Sequence, residues 1–182
     1  RTGVRVNRGV RHICKQAQRL FSLHECDPAV AMDQWLDRKL MNITPEWASW
    51  FSGLVDGEGS FIIFRAGARW HSAVFVLNMR ADDRPMLDEI RRTLGFGAIY
   101  RRPRGRIGHP SHAYHVSRAK DMLALVRLFD RYPLRSRKRR DYEVWRTFVL
   151  LHQSSKNATD PRLAELFHEI KDARTYRAEP TE

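Results

Sequence analysis

One stretch limits the fold of this chain more than any other. It opens at Thr44-Pro45, runs through Trp47–Asp56, and closes on Gly57-Glu58-Gly59, after which an apolar run departs at once. Thr44 reads as an N-cap and Pro45 as the first helical residue, where a missing N–H costs nothing. Glycines then break the helix. Gly53 and Gly57 lie four apart and so share a helix face. A mid-helix glycine costs about 0.5–1 kcal/mol against alanine, and close approach of a second helix is a physical reason to bear that cost. Asp56 and Glu58 fall where exposed carbonyls and the negative end of the dipole collect. Carboxylates there are unfavourable unless a cation arrives. Glu58 with the Gly57 carbonyl would make a hard oxygen site suited to Mg2+.

The remaining pattern predicts two strand pairs and several helices. Ser60–Arg65 and Ala73–Met79 read as strands joined by the loop Ala66–Trp70. Asp82-Asp83-Arg84-Pro85 opens a helix whose Leu87, Ile90 and Leu94 share a face, and Gly95 stops it. Gly97–Arg102 and His112–Ser117 form the second pair. Lys120–Asp130, Ser136–Gln153 and a segment from Asp160-Pro161 read as helices, the last burying Leu163, Leu166, Phe167 and Ile170. The expected fold is α+β: an αββαββα core with one antiparallel sheet, covered on one face by helices and open to a ligand on the other, plus C-terminal helices.

That domain is expected over residues 43–177, with 178–182 a tail. Residues 1–42 read differently. Arg1, Arg5, Arg8, Arg11, Lys15 and Arg19 precede the first acid, Glu25, and Val10–Leu23 has weak helical periodicity. A basic N-terminal extension of this kind reads as a transit peptide, a disordered DNA-binding arm or read-through from an upstream frame.

Charge narrows the partner. The net charge of +12 is concentrated, with residues 97–146 holding 14 Lys+Arg against 4 Asp+Glu. A basic patch of this kind points to a polyanion. No run approaches the roughly 20 apolar residues of a membrane span, so no membrane partner is expected. Cys14 and Cys26 form no CxxC pair or disulfide scaffold, which suits an intracellular compartment. His109, His112 and His115 invite a metal reading, but strand alternation separates His112 from His115.

Phe51-Ser52-Gly53-Leu54-Val55-Asp56-Gly57-Glu58-Gly59-Ser60-Phe61 resembles the signature of the LAGLIDADG homing endonucleases, single-motif type. The resemblance runs from about Ile43 to Gln153, including the Pro133–Lys138 segment. It implies that the signature helices of two copies pack through Gly53 and Gly57, because the chain shows one motif and hence half a metal centre. It implies Glu58 as a metal ligand and catalytic residue, where Asp is commoner in the family. Gly57 offers a carbonyl to the metal. Asp56 stands at the catalytic end as a cap or support, and Lys138, or its neighbour Arg137, as a basic group beside the scissile phosphate. The polar residue that the family often carries near position 79 is Met79 here, leaving Asn78 in its place.

By the same resemblance the sheet reads the major groove, with Arg65, Arg69, Arg80, Arg101, Arg102, Arg104 and Arg106 as DNA-contact candidates. The implied function is site-specific double-strand cleavage of DNA by a homodimer on a pseudo-palindromic site, using Mg2+ or another divalent cation such as Mn2+. Such members are intron-encoded mobile elements, and some assist splicing of their host intron, so a second reading is an RNA-binding maturase with host intron RNA as partner. A DNA-binding regulator without cleavage is a third reading. The expected location is a bacterial cytoplasm or an organelle, mitochondrion or chloroplast.

Overall fold

The computed structural model describes residues 28–68, 70–102, 109–155 and 160–174. The chain divides into two compact units, Arg1–Ile43 and Thr44–Glu182. In the first, a helix α1 spans Pro28–Leu40. The sequence reading missed it, although buried Ala31 and half-buried Trp35 lie four apart, the spacing of one helix face. The weak periodicity at Val10–Leu23 and the tail at 178–182 lie outside the described residues.

The second unit begins with α2, Pro45–Glu58, capped as expected: Thr44 Oγ1 accepts from Trp47 N at 3.3 Å. β1, Gly59–Arg65, follows with no linker. Then come β2, His71–Arg80, a 3-10 turn at Ala81–Asp83 and α3, Arg84–Leu94. β3, Ala98–Arg102, and β4, Ser111–Val116, complete the sheet. α4, Ala119–Arg131, α5, Lys138–Ser154, and α6, Pro161–Arg174, close the unit. The sheet is antiparallel throughout in the order β1-β2-β4-β3. The α+β class and the element order are those expected, with strand and helix ends shifted by one or two residues. In α6 the inward residues are Leu163, Phe167, Ile170 and Ala173, while Leu166 is half-buried.

Alternation sorts the sheet into two faces. Phe61, Ile63, Ala73, Phe75, Leu77, Tyr114 and Val116 point to the helices and are buried. Phe61 is the hub, with ring centroids 5.4 Å from Phe75, Tyr142 and Trp145 and 5.8 Å from Phe129. Each such buried ring contributes about 1.5–3 kcal/mol relative to leaving it in water. This core fixes α2, α4 and α5 on one side of the sheet. The other face carries Ser60, Ile62 and Phe64; Ser72, Val74, Val76, Asn78 and Arg80; Ser111, Ala113 and His115; and Ala98, Tyr100 and Arg102.

Candidate active site and nucleic-acid interface

α2 runs further than its glycines suggested, through Gly57 to Glu58. What ends it is Gly59. A Cβ at Gly59 would lie 2.6 Å from Val55 Cγ1 and 2.8 Å from Val55 O, so only glycine lets the chain turn from helix directly into β1. This sharp turn holds Glu58 at the very end of the helix, exposed.

Around that end the chain gathers hydrogen bonds from about eighty residues away in sequence. Arg135 N donates to Asp56 Oδ2 at 2.9 Å, and Ser136 N donates to Asp56 Oδ1 at 3.0 Å. Ser136 Oγ accepts from Lys138 N at 3.2 Å. One turn earlier, buried Ser52 donates through Oγ to Tyr132 O at 2.8 Å. α2 is thus stapled to the connection between α4 and α5. Lys138 Nζ then reaches back and donates to Gly57 O. The unfavourable placement of two carboxylates at a helix C-terminus is answered by backbone N–H groups at Asp56 and by an ammonium at Gly57.

The titration of these groups follows from the packing. Partial burial of Asp56 works against its charge, but the hydrogen bonds of Ser136 and Arg135 and the nearby Lys138 charge outweigh it, so its carboxyl titrates below the usual range. Lys138 is pulled below its usual range chiefly by burial, against the pull of Glu58, Asp56 and Asp141.

Asp56, Gly57, Glu58 and Lys138 are therefore brought together. The glycines behave differently from core glycines: among the described residues, a Cβ at Gly53 or Gly57 would meet nothing within 4 Å. Both are exposed, and Trp50, 42% exposed, lies on the same helix face with half-buried Leu54. Nothing in the described residues of this unit requires those two positions to be bare.

The expected metal can be tested against the donors present. Glu58 supplies a carboxylate and Gly57 a carbonyl, both hard oxygen donors. The carbonyl already accepts from Lys138, and although it has a second lone pair, the ammonium competes for it. No cluster of three or more His, Cys, Asp or Glu side chains suited to a metal occurs among the described residues. The donor chemistry fits a divalent cation, and the donor number fits one that draws further oxygens from elsewhere.

The sheet residues sort by face. Arg80 and Arg102 lie on the open face, in one row with Ser111. Arg80 is held by Asp82 at 3.1 Å. Arg65 and Arg101 are exposed but take the helix-side alternation, opposite His71 and His112. Arg69, Arg104 and Arg106 lie outside the described residues. Gly59 pairs with Leu77, so Asn78 lies at the level of Glu58 on the open face, with Oδ1 buried and without a partner among the described residues. Met79 takes the other face, opposite His112. His115 faces away from His112, and burial, with Arg102 nearby, holds it below the usual histidine range.

Ser136 and the exposed Arg135, Arg139 and Arg140 around the start of α5 are site residues that the sequence does not single out, in contrast to Arg137 and Lys138. The run of cations at 135–140 was the available signal. What it lacked was any indication that the Arg135 and Ser136 amides bind the Asp56 carboxylate.

The LAGLIDADG endonuclease profile matches residues 51–149, over half the chain. The chain belongs to the LAGLIDADG endonuclease family. Among curated relatives, a probable intron-encoded endonuclease, Cox1-I1b of Schizosaccharomyces pombe, is 26% identical over 137 residues, covering 71% of this chain and 35% of that protein. Among solved structures, I-SmaMI bound to an uncleaved DNA target with calcium ions is 26% identical at a TM-score of 0.59, covering 69% of this chain and 43% of that one. The archaeal intron-encoded homing endonuclease I-Vdi141I, complexed with DNA, shares the fold at a TM-score of 0.60 and 18% identity, covering 74% of this chain and 88% of that one. This LAGLIDADG chain spans between about a sixth and about a third of the length of the curated relatives it matches. No helix among its described residues is long and apolar enough to cross a membrane.

Proposed function

We propose that this LAGLIDADG chain is a site-specific double-strand DNA endonuclease that works as a symmetric pair on a pseudo-palindromic duplex. The observation that carries the reading is the end of α2. An exposed carboxylate, Glu58, stands beside the Lys138 ammonium on a helix whose glycine face is bare. A second copy of that face would bring a second Glu58 close to the first, completing the oxygen donors that one copy lacks.

In this reading Glu58, with Gly57 sharing its carbonyl, holds a divalent cation, Mg2+ or Mn2+. When bound, such a cation polarises the phosphodiester and activates water. Lys138 places a positive charge where the phosphorane-like transition state gains negative charge. Asp56 holds the segment that carries Lys138. Arg80 and Arg102, with the cations at 135–140, supply the duplex contacts. The DNA in the I-SmaMI complex and the intron in the yeast relative's name support DNA as partner and an intracellular site of action, in an organelle or a bacterial cytoplasm.

A second reading differs only in where the facing helix comes from. The observation behind it is that this chain covers 43% of I-SmaMI, as it would if the facing helix came from a second repeat within one longer polypeptide. Sedimentation of the 182-residue chain with a full-length site separates the two: a two-to-one complex supports the pair, and a stable one-to-one complex the longer polypeptide.

The test of the activity is Glu58→Gln. The amide keeps the shape and loses the charge that holds the cation, so cleavage in Mg2+ should be abolished. DNA binding in Ca2+ should stay within about twofold, because most of its energy comes from basic residues elsewhere. Full cleavage by the variant would place the metal site elsewhere.

A further inference from the structure

The register of the sheet arranges its open face in rows. Arg80, Ser111 and Arg102 form one; Asn78, Ala113 and Tyr100 the next; Ser60, Val76, His115 and Ala98 the third. Then come Ile62 with Val74, and Phe64 with Ser72. Chemistry changes steadily along this series, from guanidinium through amide and imidazole to aliphatic and aromatic. In the last two rows the one side chain able to hydrogen bond is Ser72. Phe64 is 40% exposed there, on an edge strand, and Trp70 in the adjoining turn is 60% exposed. Large apolar side chains on an open edge invite aggregation unless something covers them.

We infer that this face reads its duplex in two ways: the Arg80–Arg102 row by hydrogen bonds to guanine, and the Ile62, Val74 and Phe64 rows by packing on the 5-methyl groups of thymine. The inference rests on the DNA endonuclease reading above. Its chemical basis is the content of the major groove. Guanine offers two acceptors that match a guanidinium, while the apolar group on a base edge is the thymine methyl. Ile62, Val74 and Phe64 cannot recognise phosphate or a base acceptor, so a methyl is what they can select for. DNA is the occupant favoured over a second copy of the chain, because these rows continue directly into a cationic row, whereas the bare glycine face lies on α2, on the other side of the sheet.

The register also gives a position. Gly59 to Phe64 is five residues of strand, about 17 Å at the usual rise, or about five base pairs of duplex. Glu58 marks the cutting end. The thymines should therefore lie in the outer part of each half-site, about five base pairs from the cleaved bond.

The experiment starts with selection of a preferred duplex from a random pool by the full chain in Ca2+. Each thymine is then replaced singly by deoxyuridine, which removes the methyl and leaves base pairing intact. Uracil in the outer half-site should weaken binding about fourfold per position, as expected for one buried methyl. Uracil at other positions should have little effect. In Phe64→Ser and Val74→Ser, thymine and uracil should bind alike near the altered residue, with the melting temperature of Phe64→Ser preserved because Phe64 is exposed. A preferred site that tolerates uracil throughout overturns the inference and leaves the endonuclease reading standing. Equal weakening of thymine and uracil sites by Phe64→Ser, with discrimination retained, also overturns it. A pool that yields no preferred duplex overturns both.

Discussion

Asp56 and Glu58 are two residues apart and meet different fates. Glu58 is exposed at the helix end, while Asp56 is turned back to accept the Arg135 and Ser136 amides. Asp56→Asn keeps one acceptor oxygen and replaces the other with a donor that faces an N–H. It should cost about 1 kcal/mol at neutral pH, toward the lower end for a solvent-screened site, read as a fall in melting temperature. Its pH dependence has a definite sign. The folded-state value lies below the ordinary one, so the stabilisation is present above the ordinary aspartate range and is lost as the pH falls through the folded value. Wild type and Asp56→Asn should differ at pH 7 and converge only as the pH falls below the ordinary aspartate range. A difference that persists in acid would assign the loss to packing. Loss of DNA cleavage without loss of stability would assign Asp56 to the chemistry.

At the scale of elements, α2 is the piece to test. Its glycine face is open, and Gly53→Leu adds a side chain that nothing nearby in this unit would meet. The substitution should leave the melting temperature unchanged or slightly raised, since leucine is about 1 kcal/mol better than glycine in a helix. It should block pairing, with sedimentation showing monomer on half-sites. A fall in stability would mean that the face is packed within the chain. Much of this element was legible in sequence: the cap at Thr44, the shared face of Gly53 and Gly57, and the strand that follows all come from residues close in the chain. The strand order was not, because β4 rather than β3 beside β2 is decided by packing at long range. Nor was the Lys138–Gly57 contact, which joins residues 81 positions apart. Helix α1 was lost by reading residues 1–42 as a basic tail, on the strength of cations that mostly precede it.

Across the whole molecule, the proposed function has charge set the affinity for DNA and the sheet the choice of target. Arg135, Arg139 and Arg140 are exposed around the start of α5, a poor place for cations on a helix alone and a good one beside phosphate. Binding should weaken steeply with salt, at a log–log slope of about −0.9 per phosphate contact. Arg135→Ala and Arg140→Ala should each lower that slope by about 1, equally for preferred and unrelated duplexes. An unchanged slope would remove those residues from the interface. The alternation of the strands bears on how such a protein changes over generations. Because Phe61, Phe75 and Leu77 carry the core while Ile62, Val74 and Asn78 sit on the opposite face, the alternate codons along β1 and β2, buried Val76 excepted, can drift at little cost to folding. A lineage can therefore wander among targets one substitution at a time, while its neighbours in the same strand hold the scaffold still.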